Sequence, residues 1–141
     1  MVEVTLILPL LLVLVGAAVD WGLLFFVSHV VQNAVREGAR AAVAQCSGSP
    51  CSVGSSNILN TVNSVIPDTP LFSSFRGSSH ILVTCDASGP FIKVQSGVDG
   101  SGNPNGVYNF IFLRLLGFTS VSMARTESMR YERSDSCPTI T

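Results

Sequence analysis

The stretch GAAVDWGLLFF, residues 16–26, sets one aspartate inside an apolar run that is otherwise unbroken. Val4 to Val19 carry no charge, and neither do Trp21 to Val27. A carboxylate in hydrocarbon costs a few kcal/mol, so Asp20 demands a partner. Residues 4–27 are long enough to cross a bilayer, for which a helix needs roughly 20 apolar residues. A secretory signal would begin with basic residues and end at a small-residue cleavage site. Here the first Lys or Arg is Arg36. The run passes instead into SHVVQNAVREGARAAVAQC, residues 28–46. On a 3.6-residue period this places Ser28, His29, Gln32, Asn33, Arg36, Glu37 and Arg40 on one face, with Val30, Val31, Ala34, Val35, Ala41 and Ala42 on the other. One helix from about Thr5 to Ala44, about 60 Å long, is predicted. Its first half is apolar all round and must be buried on every side. Its second half has one wet face and one face for packing a head. Pro9 lacks an N–H and is expected to kink or loosen the early turns. Gly16 and Gly22 lower helix propensity but admit a neighbouring helix.

The composition divides at the end of this helix. Residues 1–45 form an apolar stem and residues 46–141 a head rich in Ser, Gly, Asn and Thr, within a chain of 141 residues, net charge -1 and mean hydropathy +0.47. No basic excess points to nucleic acid, and there is no acidic tail. All four cysteines, Cys46, Cys51, Cys85 and Cys137, lie in the head. An even count confined to the polar part reads as disulfides formed in an oxidising space. Of the three possible connectivities, Cys46–Cys51 with Cys85–Cys137 is favoured: the first closes a tight loop around Gly48 and Pro50, and the second ties the C-terminal tail to the head. A zinc site is disfavoured because no Cys-x-x-Cys or paired His accompanies them.

Within the head, Ile58, Leu59, Val62, Val65 and Ile66 recur at helical spacing, with Ser56 or Asn57 as N-cap and Pro67 and Pro70 as terminators. HILVTC (80–85) and PFIKVQSGV (90–98) read as strands joined by a turn at DASG, and VDGSGNPNG (98–106) reads as a loop. YNFIFLRLLG (108–117) is short and apolar, compatible with helix or strand, and is read as a helix in preference. FTSVSMARTESMRYE (118–132) alternates and is predicted to be one strand. The expected fold is α+β: a long N-terminal helix carrying a small antiparallel sheet on its amphipathic half, stapled by disulfides.

Nothing in the pattern is catalytic, and no cofactor is expected. His29 and His80 have no neighbouring nucleophile motif, no Gly-rich loop joins a strand to a helix, and GSGNPNG matches no nucleotide fingerprint. Asp68, Asp86, Asp99 and Asp135 are scattered, so a calcium site is possible but disfavoured.

Two passages carry a resemblance. VEVTLILPLLLVL (2–14) resembles the start of type IV pilin-like proteins, with Glu3 entering a long apolar helix. GAAVDWGLLFF followed by VQNAVREGARAAV (31–43) resembles the TadE-like pseudopilins of tight-adherence pilus systems, through Pro9, Asp20, Ala34, Arg36, Glu37, Gly38, Ala39, Arg40 and Ala42. The end of the chain, FTSVSMARTESMRYE, resembles that family's closing strand. The resemblance implies a precursor in the inner membrane, cleavage of a short leader by a prepilin peptidase, and polymerisation by a separate ATPase and platform. The product would be an extracellular homo-oligomeric filament supporting attachment. A minor tip or priming subunit, or a membrane-anchored periplasmic binding module that never polymerises, are the alternatives.

On this view Glu3, Pro9, Gly16, Asp20, Gly22, Arg36, Glu37, Gly38 and Arg40 are the candidate assembly residues. Glu3 is either a favourable charge at the helix N-terminus or the partner of a neighbouring chain's α-amine. Asp20 either caps a break or snorkels to water, or it meets a polar group in a bundle of stems, such as Thr5 or the backbone of a neighbour, while carrying its own proton. Arg36, Glu37 and Arg40 are either solvated or contact neighbouring subunits, with Gly38 permitting close approach.

Overall fold

The computed structural model describes residues 2–45, 52–86, 91–130 and 139–140. One helix, α1 (Val2–Gln45), fills the first third, about 66 Å of it at the usual rise per residue. It continues helical through Pro9. The remaining elements are β1 (Ser52–Val53), α2 (Ser55–Val65), a 3₁₀ helix at Pro70–Phe75, β2 (Ile81–Asp86), β3 (Phe91–Ser96), β4 (Val107–Asn109), a second 3₁₀ helix at Leu113–Leu116, β5 (Ser120–Ser122), β6 (Arg125–Arg130) and β7 (Thr139–Ile140). The architecture is α+β, as the alternation of the sequence required.

The three-stranded sheet has the order β2-β3-β6 and is antiparallel, while β4 pairs with β5 antiparallel and β1 with β7 parallel. Its register brings Ile81, Ser96 and Arg125 into one row, Val83, Val94 and Glu127 into the next, and Cys85, Ile92 and Met129 into the third. Because side chains alternate along a strand, these three rows share one face. Ile92, Val94 and Ser96 on it are buried, and that face packs on α1. Beside it α2 brings Ile58 and Val62 against α1, meeting Val94 of β3 at Gly38. The core is therefore Val27, Val31, Ala34, Val35, Ala39 and Ala42 of α1, with Ile58, Val62 and Ile66, Ile92 and Val94, Phe72, Phe75 and Tyr108 of the head. α2 is preceded by Gly54 and has no side-chain cap, in place of the capping by Ser56 or Asn57 that the sequence pattern favoured.

Two readings of the head need correction. The segment 108–117 is not a helix. It finishes β4 and then forms an irregular turn with a single 3₁₀ turn at Leu113–Leu116. The segment 118–132 is not one strand. It breaks after Ser122, so that β5 pairs with β4 and β6 pairs with β3. The Met123 amide at this break donates to the Gly106 carbonyl, 2.8 Å away, which ties the chain to the 97–106 loop as it crosses between sheets. A period-two pattern marks alternation but carries no record of which sheet each half joins.

Of the four cysteines, only Cys85 lies among the described residues. It is not a free thiol. Cys46, Cys51 and Cys137, and with them the pairings expected for them, lie outside the described residues.

Candidate assembly and membrane site

α1 shows two regimes of burial. From Ile7 to Val15 it is exposed or half-exposed on every side. From Gly16 onward a buried stripe runs along one face through Gly16, Asp20, Val27, Val31, Ala34, Val35, Gly38, Ala39 and Ala42. The head docks along this stripe. It therefore reaches lower than the amphipathic half and extends into the apolar run.

Asp20 is the polar centre of that lower contact. It is 0% exposed. Its Oδ1 accepts the backbone N–H of Ile111 at 3.0 Å, and its Oδ2 accepts those of Phe112 at 2.8 Å and Leu113 at 2.6 Å. These three amides lead into the 3₁₀ turn at Leu113–Leu116, where the first N–H groups of a helical turn have no partner of their own. A carboxylate accepting several N–H bonds is a strong, charge-assisted arrangement. Within the chain, Asp20 is thus met by backbone amides of the chain's own head. The physical reason is simple: the three amides are a preorganised set of donors tied to the same polypeptide. Tyr108 is buried beside this site, its hydroxyl 3.5 Å from the Asp20 carbonyl oxygen. Burial, followed by the negative charge of Asp20, holds the Tyr108 phenol above its ordinary pKa.

The glycines of the stem divide in the same way. A Cβ on Gly16 would stand 2.7 Å from Cβ of Phe112, so Gly16 admits the head's own loop. A Cβ on Gly38 would overlap Cγ2 of Val62, so Gly38 admits α2. Both close approaches expected between subunits are used within one chain. Gly22 is exposed, a methyl added to it would meet nothing within 4 Å, and it remains open to an external partner. Pro9 is exposed. Glu3 lies in the first turn of α1, and the role expected for its side chain lies outside the described residues.

Above the Asp20 contact, strand β6 clamps the polar side of α1. Arg125 Nε donates to Ser28 Oγ at 3.0 Å, and Arg36 faces Glu127 at 3.6 Å. Glu37 and Arg40 pair with each other at 3.5 Å on an exposed face. Arg36 is thereby drawn into the fold of its own chain, while Glu37 and Arg40 face outward.

The pattern missed Tyr108, Ile111, Phe112, Leu113, Arg125 and Glu127. The signal for the loop was present in the apolar run 110–118, set in an otherwise polar head. Its backbone role as a set of donors had no signature, since any residue but proline supplies an N–H. Among the described residues no cluster of His, Cys, Asp or Glu stands ready for a metal ion. Shallow clefts exist in the head, one of them lined by Asn63, Asp68, Thr69, Ser73 and Arg76.

One long apolar helix, exposed from Ile7 to Val15 and clasped by a small α+β head from Gly16 onward, is a stem-and-head architecture. Within α1, Ile7–Gln45 is long and apolar enough to cross a membrane, with a window of mean hydropathy 2.4 that is only 17% buried, unlike the core helix of a soluble protein. Residues 1–40 match the model of the TadE-like protein family, so the stem is similar to that family. No curated protein matches the chain, and no solved structure does.

Proposed function

We propose that this chain is a structural subunit of a tight-adherence pilus, held first in the inner membrane by α1 and then assembled with other pilus components through it. The observation that carries this reading is the bare apolar rod from Ile7 to Val15, exposed on a helix that is similar to the TadE-like family. Such a surface must be covered by lipid or by copies of itself. In a filament the stems bury one another in the core while the Ser-, Asn- and Gly-rich heads face solvent. Because the reference state is lipid rather than water, the gain comes from packing and not from bulk hydrophobic transfer. Prepilin peptidase, an assembly ATPase and its platform are the partners the family resemblance implies, and attachment is the outcome. Cross-links Cys46–Cys51 and Cys85–Cys137 would protect the head outside the cell. The second is supported by β7, which starts two residues after Cys137 and lies against β2, the strand of Cys85.

The head's descent to Gly16 favours a second reading, that of a minor or priming subunit. A stem covered on one face down to residue 16 offers fewer positions to sister stems than a fully bare one. Shearing surface material from producing cells and separating it on a denaturing gel tests both. An abundant band at the size of the 14.9 kDa chain supports the major subunit. A trace band that co-purifies with a different abundant subunit supports the minor one. Confinement to the membrane fraction, with none in sheared material, overturns both in favour of a non-polymerising anchor.

A further inference from the structure

The apolar loop 110–118 is the one part of the head whose chemistry contradicts its surroundings. Ile111, Phe112, Leu115, Leu116 and Phe118 are all exposed, Leu115 to 84% and Phe118 to 61%. Elsewhere the head shows a surface of Ser, Thr, Asn and Gly. The loop also has a fixed address. Asp20 holds its amides, and Phe112 rests on Gly16. On α1 the first polar residue after the apolar run is Ser28. Asp20 lies eight residues before it, about 12 Å below along the helix axis. The apolar side chains are therefore held beside the part of α1 that is flanked by exposed Val19, Trp21, Phe25 and Phe26. That depth lies just beyond the usual reach of interfacial membrane elements, about 5–10 Å into the headgroup and acyl boundary.

Seven amides of the loop have partners within the chain, which bears on the second requirement of a lipid environment. Irregular backbone is tolerated in hydrocarbon only where its polar groups are satisfied internally. The Ile111, Phe112 and Leu113 amides go to Asp20. The Phe110 amide donates to the Thr119 carbonyl, that of Leu115 to Phe112, that of Gly117 to Arg114, and that of Phe118 to Leu113. Asp20 thus does for the loop what water would do outside the membrane.

We propose that the loop 110–118 is a second membrane contact: in the unassembled subunit it lies in the leaflet through which α1 leaves the bilayer. Leu115, Leu116 and Phe118 enter the acyl boundary, and exposed Arg114 reaches back to lipid phosphates. The occupant of the patch is phospholipid, because the patch is continuous with the apolar surface of a helix long enough to span. The inference rests on the membrane anchoring of α1 proposed above, and it goes beyond that anchoring by assigning a contact to the head. It also gives a reason for the acidic residue in the apolar run: Asp20 satisfies a loop that has to lie in lipid.

The test uses the full chain in vesicles of phosphatidylcholine and phosphatidylglycerol at low protein density, with acyl chains brominated at shallow or deep positions. The parent has one tryptophan, Trp21, which reports on α1. The double variant Trp21→Phe/Leu115→Trp moves the indole to the most exposed site of the loop, where folding does not depend on the side chain. The expected result is that both indoles lose most of their emission, with position 115 quenched more by shallow than by deep bromines. Quenching at Trp21 without any at position 115 overturns the inference and leaves the anchoring of α1 standing. Quenching at neither position overturns the anchoring itself, and the inference with it. Emission at position 115 that is shifted to the blue but insensitive to bromine at every density identifies a second copy of the chain as the occupant, which also overturns the proposal. Adding Asp20→Asn to the double variant supplies an independent check: quenching at position 115 falls while circular dichroism keeps the helix signal.

Discussion

Asp20 Oδ2 and the backbone nitrogen of Leu113 stand 2.6 Å apart across 93 positions of sequence. This bond and its two neighbours fasten the head to the stem at a level where the helix is otherwise apolar, so the position of the head along α1 is defined by a polar contact and not by hydrophobic burial alone. An acidic residue that reads as an anomaly along the chain is, in three dimensions, the acceptor for a turn that has no other.

Replacing Asp20 by Leu strands three part-buried amides. Loss of charge-assisted bonds with their donors left unsatisfied is expected to cost about 3 kcal/mol, which is roughly a 100-fold faster opening of the contact. Hydrogen exchange at Ile111, Phe112 and Leu113 in detergent measures it. Exchange unchanged from the parent would show that the carboxylate does not hold the loop.

The three stem glycines are expected to respond differently to alanine. Gly38→Ala drives a methyl into Val62 Cγ2 and is expected to destabilise by about 1–3 kcal/mol through overpacking. Adding Val62→Ala should recover part of that loss, a coupling that denaturation of the double variant reads directly. Gly16→Ala should loosen Phe112 in the same manner. Gly22→Ala meets open space and should stabilise the isolated subunit by up to about 1 kcal/mol through helix propensity. A defect of Gly22→Ala confined to assembly would mark that face as an external contact.

Strand β6 holds α1 through partly exposed groups. The Arg36–Glu127 pair is expected to contribute less than about 1 kcal/mol, because both side chains keep contact with water. Glu37→Ala and Arg40→Ala should leave thermal unfolding almost unchanged. A loss of surface pili in these two variants with folding intact would assign them to subunit contacts.

Tyr108 sets an alkaline limit. Its phenol is held above the ordinary value of 10.0 by burial and then by the charge of Asp20. A group whose folded pKa is raised contributes stability that is complete below its unfolded pKa and is lost as pH rises through the folded one. Stability should therefore be level below about pH 10 and fall above it. The phenolate absorbance should include a phenol that titrates late and is absent from Tyr108→Phe, and the alkaline loss should shrink in that variant. A Tyr108→Phe subunit with the parent's full alkaline loss would place the effect elsewhere.

The stem was legible because its information is local. Residues 4–27 must be helical to satisfy their backbone in an apolar setting, and the following 3.6-residue period marks where a head must pack. α2, β2 and β3 were legible for the same reason, each announcing its period within a few residues. The 3₁₀ turn at Leu113–Leu116 and the break between β5 and β6 were not. In both, short apolar segments are compatible with more than one backbone, and the choice is made by contacts with Gly16, Asp20 and Gly106, which lie far away in sequence.

By itself, then, the sequence determined that there is a long apolar helix with an acidic residue in it, a polar head rich in small residues, and no recognisable catalytic pattern, since periodicity and composition are properties of neighbouring residues. Only the tertiary structure decided what Asp20 binds, why Gly16 and Gly38 lack side chains, and how far down the stem the head reaches. Those are distances between residues remote in the chain, and backbone amides, which every residue but proline possesses, leave no trace in the order of side chains.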